Sequence, residues 1–215
     1  MNSLIQKLKN EGNLRLYHDY RTGHTQDLSG TGNHGVSVAG TVIFNGNAGA
    51  SFRETYGRVQ VTDSASLEPT SLTLVVLLQD MIGDMSGFSM FLSKEGVSGY
   101  VYAFMLYNSG SIGLYGASLS SLSTALLHKK CLAVSATRGS KPIFYTEGVY
   151  AGLGVVDYNT TATGAGGLSV GNGRIGLQPC LCSIKAALVI SRICTATEHA
   201  LLYNELESIK WDRNI

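Results

Sequence analysis

Hydrophobic positions along the chain follow a helical period at both ends and a strand period between them. Leu4 and Leu8 lie one helical turn apart, Ser3 and Gln6 have capping-box spacing, and Gly12 supplies a stop, which predicts a short helix over residues 3–11. From Leu14 the period changes to two. Leu14–His18, Gly35–Phe44, Arg58–Thr62, Phe88–Ser93, Tyr100–Tyr107, Ser111–Tyr115, Cys131–Thr137, Ile143–Thr146, Leu168–Gly171 and Ser183–Ser191 all read as strands. Ser71–Gln79 becomes continuously apolar, the pattern of a strand covered on both faces. Turn clusters such as Asn45-Gly46-Asn47, Asn108-Ser109-Gly110, Arg138-Gly139-Ser140 and Gly164–Gly167 punctuate the run. Near the end, Thr195 and Glu198 form a capping box, and Leu202, Leu206 and Ile209 follow at helical spacing, predicting a helix over 195–210 whose stripe covers an edge or end of a sandwich. Some twelve short strands predict an all-β, two-sheet antiparallel sandwich. Residues 1–12 are expected as a helical arm and 13–215 as one β-sandwich that includes the final helix.

Composition narrows the function. Sixteen Lys and Arg against fifteen Asp and Glu give a formal charge of +1, so no basic face for nucleic acid is expected. Charged residues are 14% and glycine is 26 of 215, which excludes a coiled coil or helical bundle, while 44% hydrophobic residues exclude a disordered chain. No apolar run is long enough for a membrane-spanning helix, so no membrane insertion is expected. Met1–Lys7 lacks the basic start and apolar run of a secretory leader; either the mature form begins there or the chain does not use that route.

Motifs that suggest chemistry mostly fail in their context. Gly171-Asn172-Gly173-Arg174-Ile175-Gly176 fits a dinucleotide fingerprint, but Leu177-Gln178-Pro179 follows with no helical period. Gly167-Leu168-Ser169-Val170-Gly171 fits a nucleophile elbow, yet the histidine after it, His199, precedes the aspartate, Asp212, in the wrong order. His18, His24 and His34 share a segment with Asp19 and Asp27 but match no zinc spacing; calcium is the better candidate there, through Asp27, Asn33 and loop carbonyls. Cys180 and Cys182, two apart on a strand, point to one face and do not suit a mutual bond. Free buried thiols are expected, with Cys131 joined to Cys180, Cys182 or Cys194 as the alternatives. Glu95, Glu147 and Asp157 stand alone beside turns and read as surface charge, not as a glycosidase pair. No catalytic, cofactor or metal-ligating set is expected. Asn159-Thr160-Thr161 is a glycosylation acceptor in a eukaryotic secretory setting. Eleven tyrosines are the notable excess, and Tyr100, Tyr102, Tyr150 and Tyr158 are the candidate glycan or protein contacts.

Several ordered segments resemble one family. Asp27-Leu28-Ser29-Gly30-Thr31-Gly32-Asn33-His34-Gly35, Val59–Leu67 with Ser71–Leu74, Phe91-Leu92-Ser93-Lys94, the Ile143–Gly148 hairpin, Leu168–Gly171, and Ile184–Arg192 followed by Thr195–Tyr203 are together similar to laminin-G-like jelly rolls of the concanavalin A-like superfamily. The likeness spans roughly residues 14–208. It departs where Leu126-Leu127-His128 stands for the usual tryptophan region, where Glu147 stands for asparagine, and where Lys185-Ala186-Ala187 replaces an acidic stretch that holds calcium in some relatives. The resemblance implies a jelly roll that binds or assembles and does not catalyse. With low charge and no leader, it leads to the expectation of a structural or adhesion protein of a bacteriophage virion, as capsid decoration or tail component, made in the host cytoplasm. Its expected partners are other virion proteins, further copies of itself, and host-surface polysaccharide, with residues 1–12 as a docking arm. A stand-alone carbohydrate-binding module is the alternative, and an endoglycanase the remote one.

Overall fold

The alternating segments form two antiparallel sheets packed face to face in the computed structural model. It describes residues 3–38, 42–52, 57–81, 88–97, 99–107, 110–123, 129–160, 162, 166–173, 180 and 182–209. In chain order the strands are β1 (Leu14–Asp19), β2 (Gly35–Val38), β3 (Ile43–Phe44), β4 (Ala50–Ser51), β5 (Arg58–Val61), β6 (Ser71–Met81), β7 (Phe88–Gly96) and β8 (Gly99–Tyr107). There follow β9 (Ser111–Tyr115), β10 (Leu119–Ser123), β11 (Cys131–Thr137), β12 (Ile143–Thr146), β13 (Val149–Leu153), β14 (Leu168–Val170) and β15 (Cys182–Ile190). Helix α1 (Leu4–Asn10) precedes them and α2 (Ala196–Ser208) closes the chain. Sheet A has the order β13-β12-β11-β6-β15-β4-β3, with β1 also paired to β15; sheet B has the order β10-β9-β8-β7-β14-β5-β2. This is the jelly-roll sandwich that the sequence predicts.

The main core lies between the sheets, where Leu74, Val76, Phe91, Phe104, Leu132, Val134 and Val189 interdigitate. A second core lies on the outer face of sheet A. There Val75, Leu77, Ala133, Leu188 and Ile190 meet Leu8 of α1 and Leu202 and Leu206 of α2. Strand β6 is thus covered on both faces, which is why its sequence stops alternating. Leu202 and Leu206 are fully buried, each contributing about 2 kcal/mol. The α2 stripe covers a sheet face, not the edge or end of the sandwich. Thr195 and Glu198 cap α2 reciprocally, and Arg21, paired with Asp19, donates to the carbonyls of Leu206 at 2.7 Å and Ile209 at 3.0 Å at its other end.

Helix α1 is not a detached arm. Ile5 and Leu8 are buried in the second core, and the Ile5 amide donates to the Glu205 carboxylate of α2 at 3.3 Å. Ser3 caps α1 by accepting from the Gln6 amide, but the Gln6 side chain reaches forward to Asn10, so half of the capping box forms. Gly12 ends the helix with φ of 67°.

Three further corrections concern the strands and cysteines. Gly35–Phe44 is two strands in different sheets, β2 in sheet B and β3 in sheet A. The short β4, β10 and β13 are strands that the periodicity does not predict. Cys180 and Cys182 form a disulfide, their Cα atoms 5.3 Å apart and the Cys182 amide donating to the Cys180 carbonyl at 2.7 Å. Cys131 and Cys194 are free and buried, and burial pushes their thiols up to about 12 and about 11 respectively, so neither is a nucleophile.

Candidate functional site

The segment from Asp19 to Gly35 is a long loop held by buried polar groups. The Asp27 carboxylate accepts from the amides of Tyr17, Ser29 and Asn33, each at 3.0 Å, and from the Ser29 hydroxyl at 2.7 Å. Desolvation alone would raise its pKa, but these donors outweigh it and hold the carboxyl below its ordinary range. His18 is fully buried; its Nε2 donates to the Asn33 carbonyl at 2.9 Å and its Nδ1 accepts from the Tyr20 hydroxyl at 3.1 Å. Burial lowers its pKa and keeps the imidazole neutral. The Asp-x-Ser-Gly-x-Gly-Asn pattern is therefore a staple. It fixes a loop without supplying a free ligand.

What the staple fixes is a cavity of about 480 Å³ open to solvent, lined by His24, Thr25, Gln26, His34 and Gly35. His24, Gln26 and His34 are exposed. His34 accepts the Asp27 amide at Nδ1, 3.1 Å away, so Nε2 carries the ring hydrogen and is left as a donor. Gly35 forms the floor, where a Cβ would collide with Val59 and press on His18 at 3.0 Å. No carboxylate, lysine or arginine lines the cavity among the described residues. Imidazole and amide groups on a rigid frame present both donors and acceptors, which suits a neutral, hydroxyl-rich ligand.

Two of the metal candidates in this segment, His18 and Asp27, are engaged inside the protein, and Asn33 is buried with its side-chain nitrogen donating to the Arg15 carbonyl at 2.6 Å. Among the described residues no group of three His, Cys, Asp or Glu could hold a metal ion. Of the carboxylates read as surface charge, Glu95 is instead buried on β7. Glu147 forms the β12–β13 turn and pairs with Lys129 at 2.9 Å. Ser169 donates to Gln60 at 3.0 Å; a serine–histidine contact exists elsewhere, between Ser135 and His199 at 3.0 Å, but both are sealed under α2. Residues 174–176 of the glycine motif, and His128, lie outside the described residues.

The four tyrosines separate. Tyr102 and Tyr158 are core residues, 0% and 1% exposed, and are withdrawn as surface contacts. Tyr100 is half-buried and meets Tyr115 edge to face at 6.0 Å on the outer face of sheet B. Tyr150 is 55% exposed on β13, standing edge to face on Tyr145 at 6.2 Å. None of the four lines the cavity. Of the residues that do, His24 and His34 carry a sequence signal for metal ligation, and Thr25 and Gln26 carry none.

The sequence matches no protein-family model and no curated protein. Solved structures do match. A Trypanosoma rangeli sialidase in complex with sialic acid aligns with a TM-score of 0.67 and 15% identity over 94% of this chain and 34% of its own. The binding domain of Paraclostridial Mosquitocidal Protein 1 aligns at 0.66 and 11% identity over 94% of this chain and 53% of its own. Botulinum neurotoxin type C, whose cell entry depends upon interaction with two ganglioside molecules, aligns at 0.64 and 13% identity over 94% and 53%. The chain thus spans between a third and about half of these chains, and at such identities the likeness shows the fold. The class that the topology and these neighbours define is the two-sheet antiparallel jelly-roll β-sandwich. None of the three is a virion component, so the expectation of a phage subunit gains no support from them.

Proposed function

We propose that the chain is a non-enzymatic glycan-binding module whose site is the cavity beside His24, Gln26 and His34. The observation that carries this reading is the loop itself. A buried carboxylate and a buried histidine are committed to holding an exposed polar cavity in one shape, and such preorganisation is what a weakly interacting, hydroxyl-rich ligand needs. The sialic acid and ganglioside of the neighbouring structures make glycans the ligand class to test, and the lack of lysine and arginine among the described residues of the cavity lining makes neutral glycans the expected hits over sialylated ones. Catalysis is not part of the proposal, because the one carboxylate near the cavity, Asp27, is saturated by hydrogen bonds.

The test is an array of neutral and sialylated glycans, followed by saturation-transfer NMR on the hits. Gln26→Ala with His24→Ala removes two exposed side chains and leaves the staple intact, and is expected to weaken binding at least about tenfold, the loss of one or two hydrogen bonds. An array that stays silent, or binding that survives the double variant, overturns the assignment.

A further inference from the structure

Lys94 is the one lysine among the described ion pairs whose side chain is 0% exposed; those of Lys7, Lys129 and Lys185 all reach solvent. Its backbone lies on β7 between Tyr102 of β8 and Leu168 of β14, both buried. Two carboxylates meet its Nζ: Asp63, just after β5, at 2.7 Å, and Glu68, just after the short helical turn Ala65–Leu67, at 2.8 Å. The carbonyls of Gly166 and Glu95 accept from the same nitrogen at 2.6 Å and 3.1 Å. Burying an ammonium costs desolvation that attraction to a carboxylate often no more than repays, so stability alone is a weak reason for a pair of this depth. What the arrangement does assemble is a primary amine shielded from water, a carboxyl carbon beside it and a second carboxylate in contact with the same nitrogen. Those are the groups needed to form an amide between two side chains.

The number of partners fits that chemistry. An ammonium has three hydrogens, and here it meets four acceptors. When Glu68 takes one hydrogen as a proton, the neutral amine keeps two, one for each carbonyl. Its lone pair is left to face the remaining neighbour, Asp63.

We propose that Lys94 and Asp63 condense to an isopeptide bond, with Glu68 as the proton carrier. The Nζ–Cγ bond forms and one Cγ–O bond of Asp63 breaks. Two of the three ammonium protons pass by way of Glu68 to the departing oxygen, which leaves as water, and Glu68 ends as it began. No oxidant, reductant or cofactor enters the balance. The Asp63 side chain is 39% exposed, which gives the water a way out. The folded chain holds the reacting groups at contact distance, where intramolecular reactions reach effective molarities on the order of 10⁵ M or more, and this offsets the unfavourable balance of amide formation in water. The bond closes residues 63–94, which include all of β6, into a covalent loop and clips the end of β5 to β7 across β14. This inference does not depend on glycan binding.

The experiment is the intact mass of the full chain, measured under denaturing conditions after reduction of the disulfide. The wild type is expected to be lighter than its sequence by one water. Trypsin is expected to leave the fragment Val59–Lys129 uncut at Lys94 and lighter by the same water, with no fragment ions from backbone breaks between Asp63 and Lys94. Asp63→Asn keeps the electrophilic carbon and is expected to lose ammonia in place of water. Glu68→Gln keeps the size of the side chain, removes the proton carrier, and is expected at its full sequence mass. Folded wild type at its full sequence mass overturns the proposal and leaves an ion network. A loss of water mapped to another pair of residues overturns the assignment, and a Glu68→Gln chain that still loses it overturns the role of Glu68.

Discussion

Histidine 199 makes the fold acid-labile in a window that can be calculated. Its imidazole is 2% exposed, stacks on Tyr145 with ring centres 3.7 Å apart, and shares a hydrogen bond with Ser135. Burial lowers its pKa from 6.5 to about 4. In the unfolded chain the ring takes up a proton below pH 6.5, while in the folded chain it stays neutral until about pH 4. The unfolded state thus binds more protons throughout that interval, so stability falls as pH falls. At 1.36 kcal/mol per unit the loss is about 2 kcal/mol between pH 7 and pH 5, reaching about 3 kcal/mol by pH 4. His18 is buried, with its pKa also lowered, and adds a loss of the same sign. The carboxylates held low, Asp27, Glu147 and Glu198, act only below their ordinary range, which leaves pH 7 to 5 to the histidines. Urea melts of wild type and His199→Phe at pH 7, 6 and 5 test this. Phenylalanine keeps the stack, and Ser135 keeps its 2.7 Å contact with Thr73. The wild-type midpoint should fall with acidification at constant m, and the variant should lose about 2 kcal/mol less. An acid dependence identical in the two proteins would refute the reasoning.

Two further outcomes follow from charged residues in unusual places. Lys94 is fully buried between the sheets, with Nζ within 2.8 Å of Asp63, Glu68 and the Gly166 carbonyl and 3.1 Å from the Glu95 carbonyl. Lys94→Met should cost about 2–4 kcal/mol in denaturant melts, below the largest buried-pair values because the two carboxylates still reach water, and a loss under 1 kcal/mol would contradict the network's role. Glu147 is the one non-glycine residue with positive φ among the described residues, at 51° in the two-residue turn it shares with Gly148. Relieving that conformation with Glu147→Asn should gain about 1 kcal/mol against about 0.5 kcal/mol lost with Lys129, so a small net rise in midpoint is expected, and a fall would mean that the ion pair outweighs the strain.

The parts of the fold legible in the sequence are those where one periodicity runs unbroken. Cys131–Thr137 and Ile143–Thr146 are strands with the bounds their alternation predicts, and the Thr195–Glu198 box marks the start of α2. Illegible parts are those where the chain changes sheet or face. Val36 to Phe44 reads as one apolar run, although the chain passes from sheet B to sheet A within it. Tyr100 and Tyr102, two apart, should share a face. A register shift where Lys94 pairs with Tyr102 and Glu95 with Tyr100 places Tyr102 in the core and Tyr100 outside. Leu119–Ser123, Leu-Ser-Ser-Leu-Ser, has its leucines three apart and so lacks the period of two that announces a strand. The cavity had a signal that was read for other chemistry. Aspartate, serine and asparagine spaced through glycines form local turns by accepting backbone amides, and a loop stapled in that way exposes its remaining polar residues in fixed positions.

The distribution of surfaces decides where a ligand can reach the molecule. Sheet A has its outer face closed by α1 and α2, which leaves the outer face of sheet B, the loops and the edges. The cavity opens at Gly35, where β2 begins, and β2 is the last strand of sheet B at the end opposite β10. A shallow polar site binds a single sugar weakly, since each hydrogen bond replaces one to water. The stapled loop answers that limit by holding the weak site in its binding shape before the ligand arrives, so that no ordering cost is added on binding.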